Sequence, residues 1–164
     1  MVHLALLLDY EGEGCQSLHY HSEVWTFVIK CSNCGQVHDS PVEVDITREE
    51  QVPGSRGSAN FILKCRGCSR TSSISHVGSQ IKNKDKLDEI CTKNKFDPAE
   101  LNGVFECRGF DIEEWLLGPG FICTSESDQQ LHADLTEGMW ADVDETGTSC
   151  FIEQPEVSIV KAKL

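Results

Sequence analysis

The chain reads as a mainly β protein built from two quasi-repeated antiparallel halves, each sandwich- or barrel-like. Three observations carry that expectation. Short runs rich in β-branched and aromatic residues recur between clusters of Gly, Pro, Asp and Ser, the pattern of strands and turns. Two Cys-x-x-Cys pairs, Cys31-Ser32-Asn33-Cys34 and Cys65-Arg66-Gly67-Cys68, each follow such a run. Finally, Lys64-Cys65-Arg66-Gly67-Cys68 has a relative in Glu106-Cys107-Arg108-Gly109-Phe110, where phenylalanine replaces the second cysteine. That is the mark of a duplicated β unit whose second copy has lost its knuckle.

In chain order, Leu4 to Leu8 is a short apolar run closed by Glu-Gly-Glu-Gly, and Val24 to Ile29 is a strand leading into the first cysteine pair. Val42-Glu43-Val44-Asp45-Ile46 alternates apolar with acidic residues, as a half-buried strand does. Residues 53–58 form a Pro-Gly-Ser loop, Asn60 to Lys64 is the strand feeding the second pair, and Ser72 to Val77 returns beside it. Residues 79–101 differ in kind: Gln80 to Ile90 is charged and weakly helical, and Asn94 to Pro98 breaks it. This stretch reads as a linker carrying one short helix. Six strands are then expected, at Gly103 to Cys107, Gly120 to Thr124, Leu131 to Leu135, Met139 to Val143, Ser149 to Glu153 and Glu156 to Lys161. The organisation implied is a first β half at 1–78, a charged linker at 79–101 and a second β half at 102–164.

A tight turn between paired cysteines aims both sulfurs at one point, and two such knuckles facing each other form a tetrahedral cage of thiolates. Zn²⁺ suits that cage, and a closed set of four leaves no position open for chemistry. The spacer between Cys34 and Cys65 is longer than in most zinc ribbons, but the duplicated context favours a shared metal over a disulfide or buried thiols. The expectation is one structural Zn²⁺ bound by Cys31, Cys34, Cys65 and Cys68. A redox role is disfavoured because redox pairs sit at helix starts, which lower a thiol pKa, whereas these pairs follow strands. Either half of a 164-residue chain makes a marginal core, which a structural metal supplements.

Nine cysteines in a chain with no basic, secretory-type N-terminal segment point to a reducing compartment, the cytoplasm or also the nucleus. No apolar run approaches membrane-spanning length, so no membrane partner is expected. The formal charge is −13. Residues 51–95 hold nine basic and three acidic side chains, and residues 96–164 hold three basic and fifteen acidic. Such acidity repels nucleic-acid backbones, and the sole candidate patch is Arg56, Lys64, Arg66 and Arg70 around the second knuckle.

The ordered set Cys31-Ser32-Asn33-Cys34-Gly35, Gly54 to Ala59, Lys64-Cys65-Arg66-Gly67-Cys68, Phe105-Glu106-Cys107-Arg108-Gly109 and Trp140-Ala141-Asp142-Val143-Asp144-Glu145 resembles the eukaryotic CXXC-motif-containing zinc-binding proteins. The resemblance runs over essentially the whole chain. It implies two similar β halves related by approximate two-fold symmetry and zinc only in the first, in a family with no established catalytic activity. Roles in protein interaction and metal handling are what it suggests. The long lysine-rich linker and Pro155, inside the last strand region, depart from that pattern.

Other constellations yield to plainer readings. Asp142 to Gly147 with Glu153 approaches an EF-hand loop, but its flanks read as strands, so a hairpin turn with solvent-facing acids is expected. Gly54 to Ser58 offers backbone N–H groups without the lysine and helix of a phosphate loop. Cys107, Cys123 and Cys150 are expected in the core, Cys15 and Cys91 show no partner pattern, and His38 caps a turn. No nucleophile elbow, His-Glu-x-x-His or Walker loop is present. The sequence therefore predicts a monomeric, non-enzymatic zinc protein that binds a protein partner, with zinc or copper transfer as the rival reading and nucleic-acid binding third.

Overall fold

The computed structural model of the chain describes residues 1–77 and 84–164. Its strands are β1 (Val2–Glu13), β2 (Cys15–Tyr20), β3 (Val24–Cys31), β4 (Val42–Asp45), β5 (Glu50–Gln51), β6 (Ser58–Ala59), β7 (Phe61–Lys64) and β8 (Thr71–His76). The helix α1 (Lys84–Asn94) follows. After it come β9 (Leu101–Arg108), β10 (Phe110–Trp115), β11 (Phe121–Ser125), β12 (Gln130–Ala133), β13 (Met139–Val143) and β14 (Ser149–Lys161). A six-stranded sheet runs β13-β14-β1-β9-β8-β7, two three-stranded sheets run β10-β3-β4 and β12-β11-β2, and β5 pairs with β6. The mainly β prediction holds.

The two halves interleave. β1 pairs with both β9 and β14, β3 with β10, and β2 with β11. Strands from 1–78 and 102–164 thus alternate inside shared sheets, and one apolar core takes residues from both. The reason lies in β1, whose run Leu4 to Leu8 is apolar on both faces. Leu4, Leu6 and Leu8 enter the main core, while Ala5 and Leu7 face a smaller cluster with Ile90, Cys91 and Val104. A strand buried on both faces belongs in a sheet interior, with a neighbour on each edge.

The second cluster is roofed by α1. Leu87, Ile90 and Cys91 share one helical face and pack there with Phe96, so residues 84–94 of the expected linker are a packed helix. Residues 79–83 of that linker lie outside the described residues. α1 ends in a Schellman cap: Phe96 N donates to Cys91 O at 2.9 Å, across Lys95 in the left-handed region at φ 60°. Asn94 ties the last turn to the chain end, donating to Ile90 O and Lys163 O and accepting from Lys163 N.

Two bulges explain other departures. The expected strands at 149–153 and 156–161 are one strand. Gln154 adopts φ 52° where the β1 register slips between Asp9 and Glu11, and Pro155 sits at that irregularity, where a missing N–H is tolerated. β10 went unpredicted because its register with β3 shifts between Ile112 and Glu114. That bulge lets Phe110, Ile112 and Trp115 all face inward without strict alternation. The two Cys-Arg-Gly segments also differ: Cys65 opens a knuckle, whereas Cys107 lies buried within β9. The sequence likeness between them is not a structural repeat.

Candidate metal centre

The first knuckle begins where β3 ends, and the second where β7 ends. Their backbones are the same. Cys31 N donates to Gln36 O and Gly35 N to Cys31 O, both at 2.9 Å. In the second, Cys65 N donates to Arg70 O at 2.9 Å and Ser69 N to Cys65 O at 2.8 Å. The turn in each closes through a left-handed residue four positions after the first cysteine, Gly35 at φ 77° and Ser69 at φ 62°. Glycine takes that conformation freely, whereas serine incurs a steric penalty.

The knuckles meet face to face. The four sulfurs of Cys31, Cys34, Cys65 and Cys68 lie within 4.8 Å of one another. Cys31 Sγ is 3.7 Å from Cys68 Sγ, and Cys34 Sγ is 3.6 Å from Cys65 Sγ. Four sulfurs around a tetrahedral Zn²⁺ at its usual bond length are separated by about 3.8 Å, so two opposite edges already have that length. A disulfide would require about 2.0 Å, and all nine cysteines are free. The donor set and its spacing fit zinc.

Cys31 and Cys65 are buried, Cys68 is half-buried and Cys34 is exposed. The surroundings favour thiolate at some positions more than others. The Asn33 carboxamide, then the Arg70 amide, hold Cys68 down to about 6. The Cys34 amide, with Asn33's, lowers Cys31. Cys34 has a helpful amide at Gln36, but partial desolvation within the cluster and hydrogen bonds with the neighbouring thiols outweigh it and push Cys34 up to about 11. A dication supplies the charge this cluster lacks when all four thiols are deprotonated.

Residues the sequence reading passed over complete the site. The carboxamide of Asn33, one of two spacer residues, acts on the Cys68 sulfur of the opposite knuckle. At Gly67 a Cβ would stand 2.2 Å from Gln36 Oε1, the movable end of a side chain, and a tight 3.3 Å from Cys34 Sγ. Gly109, at φ 84°, accepts Ser32 N at 3.0 Å, and a Cβ there would lie 2.2 Å from Ser72 Oγ. Phe110 pairs with Cys31 in the ladder and, with Ile29 and Leu63, lines a void of about 20 Å³ beside Cys31 and Cys65. The second Cys-Arg-Gly segment therefore buttresses the first knuckle. The only sequence signal is its likeness to the second knuckle, which points to a repeat.

The remaining candidates fall away from this centre. His38 Nδ1 bonds the Ser40 carbonyl at 2.9 Å, which makes it a turn residue as expected. Asp144 differs from expectation, since it is buried. Its Oδ1 accepts Thr146 N, Thr146 Oγ1 and Thr148 N, and Ser127 Oγ donates to Oδ2. That carboxylate is occupied in building a hairpin. Cys107, Cys123 and Cys150 are buried in the main core, and Cys91 is buried on the inner face of α1. Cys15 is turned towards the core by a register slip opposite Ser125. A separate cleft of about 530 Å³ opens between α1 and the sheet, lined by His19, Tyr20, His76, Leu87 and Leu101. Among the described residues, no helix is long and apolar enough to cross a membrane.

The model of the family described as CXXC motif containing zinc binding protein, eukaryotic, matches residues 5–160. The chain belongs to this family. Similar proteins include a UPF0587 protein of Dictyostelium discoideum, 32% identical over 99% of this chain and 100% of the relative. The CXXC motif containing zinc binding protein of Xenopus laevis is 30% identical over 88% of this chain and 89% of the relative. The crystal structure of C1orf123 superposes with a TM-score of 0.80 at 28% identity, covering 97% of this chain and 99% of that one. Membership in a zinc-binding CXXC family and the four-cysteine cluster agree on a zinc-binding protein.

Proposed function

We propose that the chain holds one structural Zn²⁺ through Cys31, Cys34, Cys65 and Cys68, and that it acts as a non-enzymatic module binding a protein partner in the cytoplasm or nucleus. The observation that carries this reading is the closed sulfur set. Four thiolates saturate a tetrahedral ion, leaving none of the open positions that catalytic zinc keeps for water or substrate. Cross-bracing by Asn33, Gly67 and Gly109 supports a site built for rigidity. Zinc would join the ends of β3 and β7, two strands in different sheets, and so hold the exposed arginines Arg66 and Arg70 in a fixed frame.

One observation favours a second reading, transfer of zinc or copper. Cys34 is exposed and Cys68 half-buried, so an incoming thiol could reach the ion from that side. Elemental analysis followed by a chelator challenge and thermal melting separates the two. One zinc per chain, lost slowly and only as the fold melts, is the result expected of a structural site. Exchange within minutes with the fold intact would replace that reading with metal transfer.

A further inference from the structure

Among the described residues, the large apolar side chains that remain exposed are Met1, Val37, Met139, Val143 and Leu164. Two of the five, Met139 at 61% and Val143 at 54% exposure, sit on one short strand at the edge of the six-stranded sheet. β13 pairs with β14 on one side, and among the described residues no strand pairs with its other edge. Its register is regular throughout, Met139 opposite Glu153 to Val143 opposite Ser149. It has no bulge, proline or lysine, three of the devices that keep edge strands from pairing, and Asp142 is its one charged residue.

The hairpin geometry decides which backbone groups face outward. Asp144 N donates to Thr148 O at 3.0 Å, so the bonded pairs of the ladder continue at Asp142 with Cys150 and Trp140 with Ile152. The N–H and C=O groups of Met139, Ala141 and Val143 therefore point to the free edge. The Val143 amide is taken by the Asp142 carboxylate at 2.7 Å, which only an outward amide could reach. Side chains follow the same alternation. Trp140, Cys150 and Ile152 turn to the core, while Met139, Ala141, Val143 and Phe151 share the outer face. They line an open trough of about 540 Å³.

That outer face is bordered by acid. Across β14, Glu13 stands opposite Phe151 and Glu11 opposite Glu153, and Glu11, Glu13, Glu137, Glu145 and Glu153 are all exposed. No lysine or arginine occurs between Arg108 and Lys161. We infer that the free edge of β13 accepts an extended segment of a partner protein in which apolar residues alternate with lysine or arginine. Strand addition would satisfy the outward groups of Met139 and Ala141 and displace the Asp142 carboxylate from the Val143 amide, the apolar side chains would fill the trough, and the basic ones would meet the glutamates. A second copy of this chain suits the surface less well, because it brings the same acidic border. The inference rests on the interaction-module reading and narrows it to one surface and one partner chemistry.

The test is an amide chemical-shift titration of the zinc-loaded protein with a short peptide alternating isoleucine and lysine. A glutamate-for-lysine peptide and a proline-interrupted peptide serve as controls. Shifts confined to 139–143 and the facing part of β14, weakened by salt and absent with both controls, are the expected result. A double variant, Met139→Lys with Val143→Lys, should bind at least about tenfold more weakly while its melting temperature holds. Shifts centred on Arg66 and Arg70 would overturn the edge assignment and leave the interaction module standing. No shift with any peptide would overturn the inference, as would concentration-dependent dimers abolished by Met139→Lys, which would make a second copy the occupant. Metal lability, measured separately, bears on the module reading and not on this edge.

Discussion

Gly35 and Ser69 occupy the same left-handed position in two matching turns, yet only one is glycine. Ser69→Gly should therefore stabilise the protein by about 1 kcal/mol, read as a higher urea midpoint with an unchanged slope. Gly35→Ala should cost a similar amount. The nearest atom to a Cβ there is Lys30 Cε at 4.0 Å, so that cost is conformational and not steric. Gly67→Ala is the opposite case, since a Cβ would press on Gln36 and on a metal ligand. It should loosen zinc more than it lowers stability, measurable by competition with a chromogenic chelator. His76 gives a pH effect. Packed against Trp25 and Phe105, its imidazole is lowered to about 4 by burial, against 6.5 in the unfolded chain. The unfolded state takes up its proton first as pH falls. This contribution to stability is complete above pH 6.5 and is lost towards pH 4. Melting temperatures of wild type and His76→Gln should converge over that window, and a constant difference would count against the assignment.

At the scale of elements, the helix end makes a clean prediction. Lys95 occupies the left-handed cap of α1 where glycine is favoured, so Lys95→Gly should raise stability by about 1 kcal/mol. Asn94→Ala should lower it and free the chain terminus, visible as faster amide exchange at Lys163. Strands with strict alternation or β-branched runs, such as β3, β4 and β13, were legible in the sequence to within two residues of their ends. β10 and the continuity of β14 were not. A bulge inserts one residue, shifts the alternation by half a period, and erases the signal on which strand reading depends. The four cysteines were legible because two turns with identical spacing are a local pattern. Asn33, Gly109 and Phe110 were not, because each acts on the opposite knuckle or comes from a strand distant in sequence.

For the whole molecule, shared sheets change what metal loss should do. Structural zinc contributes roughly 10 kcal/mol or more in small sites, comparable with the total stability of a domain. Were the halves independent, Cys31→Ser or Cys65→Ser would melt one and spare the other. With β1 sandwiched between β9 and β14, and Phe110 packed beside the knuckles, either substitution should lower one cooperative transition across the chain. Calorimetry decides this: a residual high-temperature peak from 102–164 would mean that the halves fold separately.

By itself the sequence determined the β class, the paired knuckles, the donor atoms and hence the preferred metal, because each is set by residue type and short-range spacing. Only the tertiary structure decided that the two halves interleave, that α1 roofs a sheet, and that the second Cys-Arg-Gly segment braces the first knuckle. Those features depend on which strand edges meet, and edge pairing is chosen by burial summed over the whole core, a quantity no local stretch of sequence contains.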